Sequence, residues 1–109
     1  MTTITIYKNQ DREYIGFDSM GHAGYADQGE DIVCAGISAL VQNAVNSVES
    51  FTKDVFDIST NEEAGLISFR FRDIPSHDSD LLIKSMVLGL QEIQKFYGNE
   101  YISLIFKEV

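Results

Sequence analysis

The fold depends first on the stretch Ile32 to Phe51, IVCAGISALVQNAVNSVESF. Apolar residues recur there at steps of three and four, which predicts one buried face of a helix. The positions on that face are Val33, Ile37, Leu40, Ala44, Val48 and Phe51, with Val41 and Val45 beside them. Asp31 stands immediately before the periodic segment, where an N-cap residue is expected. We therefore predict a largely buried helix that begins just after Asp31.

Segments rich in β-branched and aromatic residues flank this helix and predict strands. They cover residues 2–8, 14–21, 54–60, 66–72 and 101–107. The first two are close enough to form a hairpin, and the next two surround a turn. Pro75 and Ser76 introduce a second helix, which stops at Gly98 and Asn99. Its apolar face carries Leu82, Met86, Leu90, Ile93 and Tyr97.

The resulting order, β-β-α-β-β-α-β, predicts the fold class. A mixed β-sheet with two amphipathic helices, α+β in class, is the simplest layered arrangement of these elements. Length and composition agree, since 109 residues with 44% hydrophobic content suit one globular domain over residues 1–109. We find no repeat, linker or low-complexity run that would divide the chain.

Charge and cysteine content restrict the classes of function. The chain carries 8 basic and 17 acidic residues, a net charge of −9, which disfavours nucleic-acid binding. The charge is explained by solubility alone, or it steers a basic protein or peptide partner to the surface. One cysteine excludes an intrachain disulfide framework and suits a reducing cytoplasm. The sequence shows neither a secretory signal pattern nor the run of about 20 apolar residues that a membrane helix requires.

Cys34 and His22 are the candidate catalytic residues. Counting from an N-cap at Asp31, Cys34 would lie in the first helical turn, where free N–H groups and the helix dipole favour a thiolate. His22 ends the second predicted strand, and residues 22–30 lack periodicity and predict a loop. Such a loop can bring the imidazole to the thiol as general base and nucleophile. The sequence equally allows Cys34 to be a small buried hydrophobe, in a packing stripe with Ser38.

Neighbouring residues can support this chemistry. Asp31 can cap the helix or orient His22, and the cap is the simpler reading. Ser38 lies one turn beyond Cys34 and should face the same side. Gly36 inside a helix suggests a close approach by another segment, and with Ala35 it could leave room for a substrate backbone. The first-turn N–H groups at Cys34 and Ala35 are candidate oxyanion donors.

Two other readings of the titratable residues are less favourable. A zinc site could draw on His22, Asp27, Glu30, Asp31 and Cys34. A structural zinc site, however, normally needs four ligands with paired cysteine or histidine spacing, so we predict no metal. The second histidine, His77, opens the second helix among polar residues, and we predict that it lies on the surface without a catalytic role.

The motif G-H-A at 21–23 followed by D-I-V-C-A-G-I-S at 31–38 resembles the ribosomal-processing cysteine protease family, Prp. Chain length and element order are also similar to that family. The resemblance implies a cytoplasmic bacterial cysteine endopeptidase, homodimeric and free of cofactors. Its implied substrate is a large-subunit ribosomal protein, which loses an N-terminal extension by cleavage after a phenylalanine pair.

The resemblance also implies roles for individual residues. The nucleophile falls on Cys34 and the base on His22, while Asp31 and Ser38 match positions that support the site. The loop between histidine and cysteine is expected to order over the substrate. We expect residues in this loop and beside it to bind the substrate. They are Gly21, Ala23, Gly24, Tyr25 and Ala35.

Two alternatives from other functional classes stay open at this stage. One is a non-catalytic ribosome-assembly module that binds a basic ribosomal protein. The other is a redox sensor with one cysteine of low pKa, which would not need His22. Replacement of Cys34 by alanine separates the protease from the assembly module, because only the protease needs the thiol.

Overall fold

The structure is a computed structural model that describes residues 1–21 and 28–109, with the backbone alone for residues 28–31. The elements in chain order are β1 (Thr2–Lys8), β2 (Tyr14–Met20), α1 (Gln28–Phe51), β3 (Phe56–Asn61), β4 (Leu66–Phe71), α2 (His77–Tyr97) and β5 (Ile102–Glu108). This order confirms the predicted β-β-α-β-β-α-β arrangement. Neither described helix is both long enough and apolar enough to cross a lipid bilayer.

The five strands form one mixed sheet in the order β3-β4-β2-β1-β5. β1 and β2 form the predicted antiparallel hairpin, whereas β1 and β5 run parallel. The register places Ile6 opposite Phe17, and Phe17 opposite Phe69, so the buried side chains of neighbouring strands share one face. The mixed sheet predicted from the sequence is therefore present.

Both helices cover that face and enclose the core. α1 contributes Val33, Ile37, Val41, Ala44, Val45 and Val48, and α2 contributes Ile83, Met86, Val87 and Leu90. On the sheet, the rings of Phe17 and Phe69 stack with centroids 5.1 Å apart and an interplanar angle of 12°. Offset aromatic stacking of this kind adds to the stabilisation that burial already gives.

The boundaries of α2 follow from its end residues. The Ser76 side chain accepts a hydrogen bond from the Ser79 amide, which is the N-cap interaction, and acidic residues occupy the first turn. At the other end Gly98 adopts φ +91° and donates its N–H to the Gln94 carbonyl over 2.8 Å. These caps fix the second helix where the sequence predicts it.

The start of α1 differs from the prediction. The helix begins at Gln28 rather than after Asp31, so Asp31 lies inside it and is not its N-cap. Residues 28–30, predicted to belong to the loop, are helical. Phe51 and Tyr97, predicted to face the core, are exposed, and each is the last residue of its helix.

Two glycines let the helices approach each other. A Cβ added at Gly36 would lie 3.3 Å from Ile93 Cδ1, and one added at Gly89 would lie 2.9 Å from Leu40 Cδ1. The close approach predicted at Gly36 is thus made by α2. The prediction that Gly36 leaves room for a substrate backbone is wrong, since Ile93 occupies the space beside it.

Candidate active site

A cavity of about 110 Å³ lies where the helix-covered face of the sheet meets the first half of α1. It contains the side chain of Cys34, and its full lining is Thr2, Ser19, Gly21, Cys34, Ile37, Ser38, Val41, Gly65 and Ile67. Thr2 and Ser19 occupy core-facing positions of β1 and β2 and are buried polar residues. The hydroxyl groups of Thr2 and Ser19 and the thiol of Cys34 therefore lie together at the edge of the apolar core.

Cys34 is half-buried and lines this cavity, so its sulfur is partly enclosed by the fold and can be reached through the cavity. The Thr2 hydroxyl lies 3.8 Å from Cys34 Sγ, within hydrogen-bonding reach of sulfur. Ser38 lines the same cavity one turn later, which confirms that it faces the same side as Cys34. A partly accessible thiol beside hydroxyl groups can act as a nucleophile once it is ionised.

The backbone that leads into His22 is held by the turn between β3 and β4. The N–H of Gly21 donates to the carbonyl of Gly65 over 3.2 Å, and Gly65 adopts φ +62°. A Cβ at Gly65 would overlap the carbonyl oxygen of Gly21, and a Cβ at Gly21 would lie 2.5 Å from Thr2 Oγ1. Both positions therefore need glycine, because the two backbones and Thr2 meet without space for a side chain.

The helix start at Gln28 changes the electrostatics proposed for Cys34. The residue lies in the second turn of α1, not the first. Its N–H and that of Ala35 are donors within the helix, whose unpaired N–H groups are confined to the first four residues. The expectation that these two amides stabilise an oxyanion is therefore wrong, and the helix dipole acts on Cys34 from a turn further away than predicted.

The remaining site residues predicted from the sequence differ in their positions. Gly21 lines the cavity with Cys34, whereas Ala35 is exposed on α1 and does not line it. The positions outside the described residues are His22, Ala23, Gly24 and Tyr25. Asp31 is described by its backbone alone.

Sequence reasoning missed Thr2, Ser19, Gly65 and Ile67, which line the cavity beside Cys34. A signal for the first two was present. Thr2 continues the alternation of Ile4 and Ile6, and Ser19 continues that of Phe17, so both are polar residues in core-facing register. A polar residue at such a position marks a place where the core opens.

A hydrogen-bonded cluster of polar residues lies on the other face of the sheet. Asp18 accepts hydrogen bonds from Tyr7 Oη over 2.7 Å and from Ser68 Oγ over 2.6 Å, and Arg70 lies 3.1 Å away. Burial raises the pKa of Asp18, but the hydrogen bonds from Ser68, Tyr7 and Arg70 outweigh it and hold that pKa below its usual value.

The second histidine, His77, is exposed at the start of α2, as predicted.

Comparison with known proteins decides the class of this site. The family model described as cysteine protease Prp matches residues 1–103, which is nearly the entire chain. The chain belongs to the Prp family of cysteine proteases. It is therefore a peptidase, and its single cysteine is the residue that lines the cavity.

Curated relatives and solved structures in the Prp family agree with this assignment. The ribosomal processing cysteine protease Prp of Staphylococcus aureus is 33% identical over 107 residues, covering 98% of this chain and 100% of the relative. That of Bacillus subtilis is 32% identical over 101 residues, covering 89% and 90%. The S. aureus crystal structure with a substrate peptide superimposes with a TM-score of 0.90 at 32% identity, covering 98% and 100%. The S. aureus complex with a covalently linked product peptide gives 0.88 at 33%, with the same coverage.

Proposed function

We propose that this chain is an endopeptidase in which Cys34 is the nucleophile and His22 is the general base. The observation that carries the proposal is that Cys34, which lies in the sequence motif that resembles Prp, lines an open cavity. The S. aureus relative has been solved with a covalently linked product peptide. A covalent link to a peptide is what nucleophilic catalysis by a thiol produces, which supports the same route here.

The chemistry follows from these two groups. His22 accepts the Cys34 proton, and the thiolate attacks the carbonyl carbon of the scissile peptide bond. The tetrahedral intermediate collapses as His22 gives the proton to the departing amine, which leaves a thioester. Water, deprotonated by His22, then attacks the thioester, and the thiol and a new carboxyl terminus are released. Each step moves one proton between sulfur, imidazole and substrate, so no cofactor is required.

Asp31 and Ser38 are proposed to support the two reacting groups. Because Asp31 lies within α1, it does not serve as the helix cap, and orienting the His22 imidazole is the role we assign to it. Ser38 shares the cavity with Cys34 and can donate a hydrogen bond near the thiol or the bound substrate. Gly21 and the loop residues Ala23, Gly24 and Tyr25 are proposed to contact the substrate.

The substrate we propose is the N-terminal extension of a large-subunit ribosomal protein, cut after a phenylalanine pair. The two curated relatives are ribosomal processing proteases. The net charge of −9 suits a basic ribosomal protein, since opposite net charges raise the rate of encounter. We further propose that the enzyme works in the cytoplasm and is a homodimer. Light scattering of the purified protein tests the dimer directly.

The test is cleavage of a peptide that carries two phenylalanines followed by a small residue, under reducing conditions. We expect the parent protein to cut after the second phenylalanine. Cys34→Ala and His22→Ala should each lose nearly all turnover, whereas His77→Ala should keep it, because His77 is exposed outside the cavity. Circular dichroism and urea unfolding of all three variants establish that the fold is intact.

Two results would contradict this assignment. Turnover by Cys34→Ala at the parental rate would remove the thiol from the mechanism, and a non-catalytic or indirect role would then explain the cavity. Equal losses in His22→Ala and His77→Ala would show that neither imidazole acts specifically. Cleavage at another bond would leave the dyad in place but change the substrate.

A further inference from the structure

Thr2 lies between the two parts of the chain that carry the proposed dyad. Its hydroxyl is 3.8 Å from Cys34 Sγ on α1, and the same oxygen would be 2.5 Å from a Cβ at Gly21, the residue before His22. Only 6% of Thr2 is exposed, and it lines the cavity beside the thiol. No other described residue joins Cys34 by a side-chain hydrogen bond and Gly21 by close packing.

The backbone of Thr2 is fixed by hydrogen bonds that do not involve the site. Its N–H donates to the Tyr101 carbonyl over 2.9 Å, and Thr2 pairs with Ile102 in the β1–β5 ladder. A threonine side chain is also stiff at χ1 because it is branched at Cβ. The hydroxyl is therefore held in place before any change in the protonation of Cys34.

The two protonation states of Cys34 use this hydroxyl differently. A thiol can donate to the hydroxyl or accept from it, whereas a thiolate can only accept. A hydrogen bond to an ionised acceptor is about twice as strong as one between neutral groups. A hydroxyl that donates to sulfur therefore favours the charged form.

We propose that Thr2 is a positioning residue whose hydroxyl donates a hydrogen bond to the Cys34 thiolate. It thereby raises the fraction of reactive sulfur and aims that sulfur into the cavity. This inference rests on the proposed function, in which Cys34 is the nucleophile. It assigns a role in the site to a residue at the start of β1, distant in sequence from the motif that identifies the family.

The experiment compares Thr2→Val, Thr2→Ser and Thr3→Val in the full chain. Valine keeps the shape of threonine without the hydroxyl, and serine keeps the hydroxyl. Thr3 is the matched control, because it is the next residue of β1 and pairs with Met20 outside the cavity lining. The rate of iodoacetamide alkylation against pH reports on Cys34 alone, since the sequence holds one cysteine.

We expect Thr2→Val to move the midpoint of the alkylation profile up by about one pH unit and to lower kcat/KM for the peptide about tenfold. Thr2→Ser should return the midpoint to within about 0.3 pH unit of the parent and kcat/KM to within about twofold, and Thr3→Val should match the parent. An unchanged alkylation midpoint in Thr2→Val would overturn the proposal, even if activity fell. So would a serine variant as impaired as the valine one, because the hydroxyl would then not be responsible.

Alkylation also separates this proposal from the function on which it rests. The profile measures the sulfur whether or not any peptide is cleaved. A shifted midpoint in Thr2→Val, together with no cleavage of the phenylalanine peptide by the parent, would contradict the substrate and leave the Thr2 contact standing. Cleavage of the peptide by the parent, together with an unshifted midpoint in Thr2→Val, would support the proposed function and contradict the role of Thr2.

Discussion

Gly65→Ala should impair catalysis from a position outside the proposed dyad. An alanine at φ +62° is in the left-handed region, which costs about 1–2 kcal/mol for a residue with a side chain. The added Cβ would also overlap the Gly21 carbonyl oxygen, and overpacking of this kind costs about 1–3 kcal/mol. We therefore expect the free energy of unfolding to fall by about 2–5 kcal/mol, which leaves an ordinary domain folded at 25 °C.

The effect on activity follows from where the overlap must relax. To reach ordinary contact distance, the Gly21 carbonyl and the added Cβ have to separate by at least a further ~1.4 Å, and Gly21 directly precedes His22. A displacement of about 1 Å in a catalytic group can lower the rate about 100-fold. The expected result for Gly65→Ala is thus a fall in kcat/KM of about 10- to 100-fold, measured on the phenylalanine peptide with protein that urea titration shows to be folded.

Gly98→Ala is the matched control. Gly98 also has positive φ, +91°, but a Cβ there has no heavy atom within 4 Å. This variant should lose about 1–3 kcal/mol of stability through backbone strain and keep its kcat/KM. If Gly65→Ala lost stability but cleaved the peptide at the parental rate, the β3–β4 turn would not position the residues before His22.

Two further predictions concern the sheet. Phe69→Ala should lower the free energy of unfolding by about 3–5 kcal/mol in urea titration, because Phe69 is fully buried against three phenylalanine rings. Phe96→Ala, at a site 81% exposed, should change it by no more than about 0.5 kcal/mol, and equal losses would contradict the core assignment. Asp18→Asn concerns acid stability: the folded-state pKa of Asp18 lies below 3.8, so its contribution is present above that pH and is lost as pH falls further. The parent should therefore lose more stability than Asp18→Asn on acidification below about pH 4, and parallel curves would refute this.

The sequence was sufficient for the order of the elements and for most of the core. Alternation identified β1 without error, and the three-and-four spacing identified the buried face of α1. The predicted start of α1 was wrong because Asp31, although a good N-cap residue, lies within the helix. Cap preferences are worth only about 1 kcal/mol, so a helix can extend to residues that precede a good cap residue.

The sequence predicted the pairing of Cys34 with Ser38 but not the other residues of the cavity. Cys34 and Ser38 were placed together by helical spacing alone, and the structure confirms that they share a cavity. Thr2 and Gly65 come from segments far from the motif, and only the sheet pairing brings them to it. Local periodicity holds no information about such pairings, since they depend on which strands meet.

The parallel pairing of β1 with β5 determines when the site can be assembled. β1, β2 and α1 emerge early during synthesis, and the β1–β2 hairpin needs only local contacts. β5 is the last strand in chain order, so its pairing with β1 cannot form until nearly the whole chain has been made. Until it does, Thr2 lacks its partners Tyr101 and Ile102. An unfinished chain therefore lacks the strand whose pairing fixes the Thr2 backbone beside Cys34.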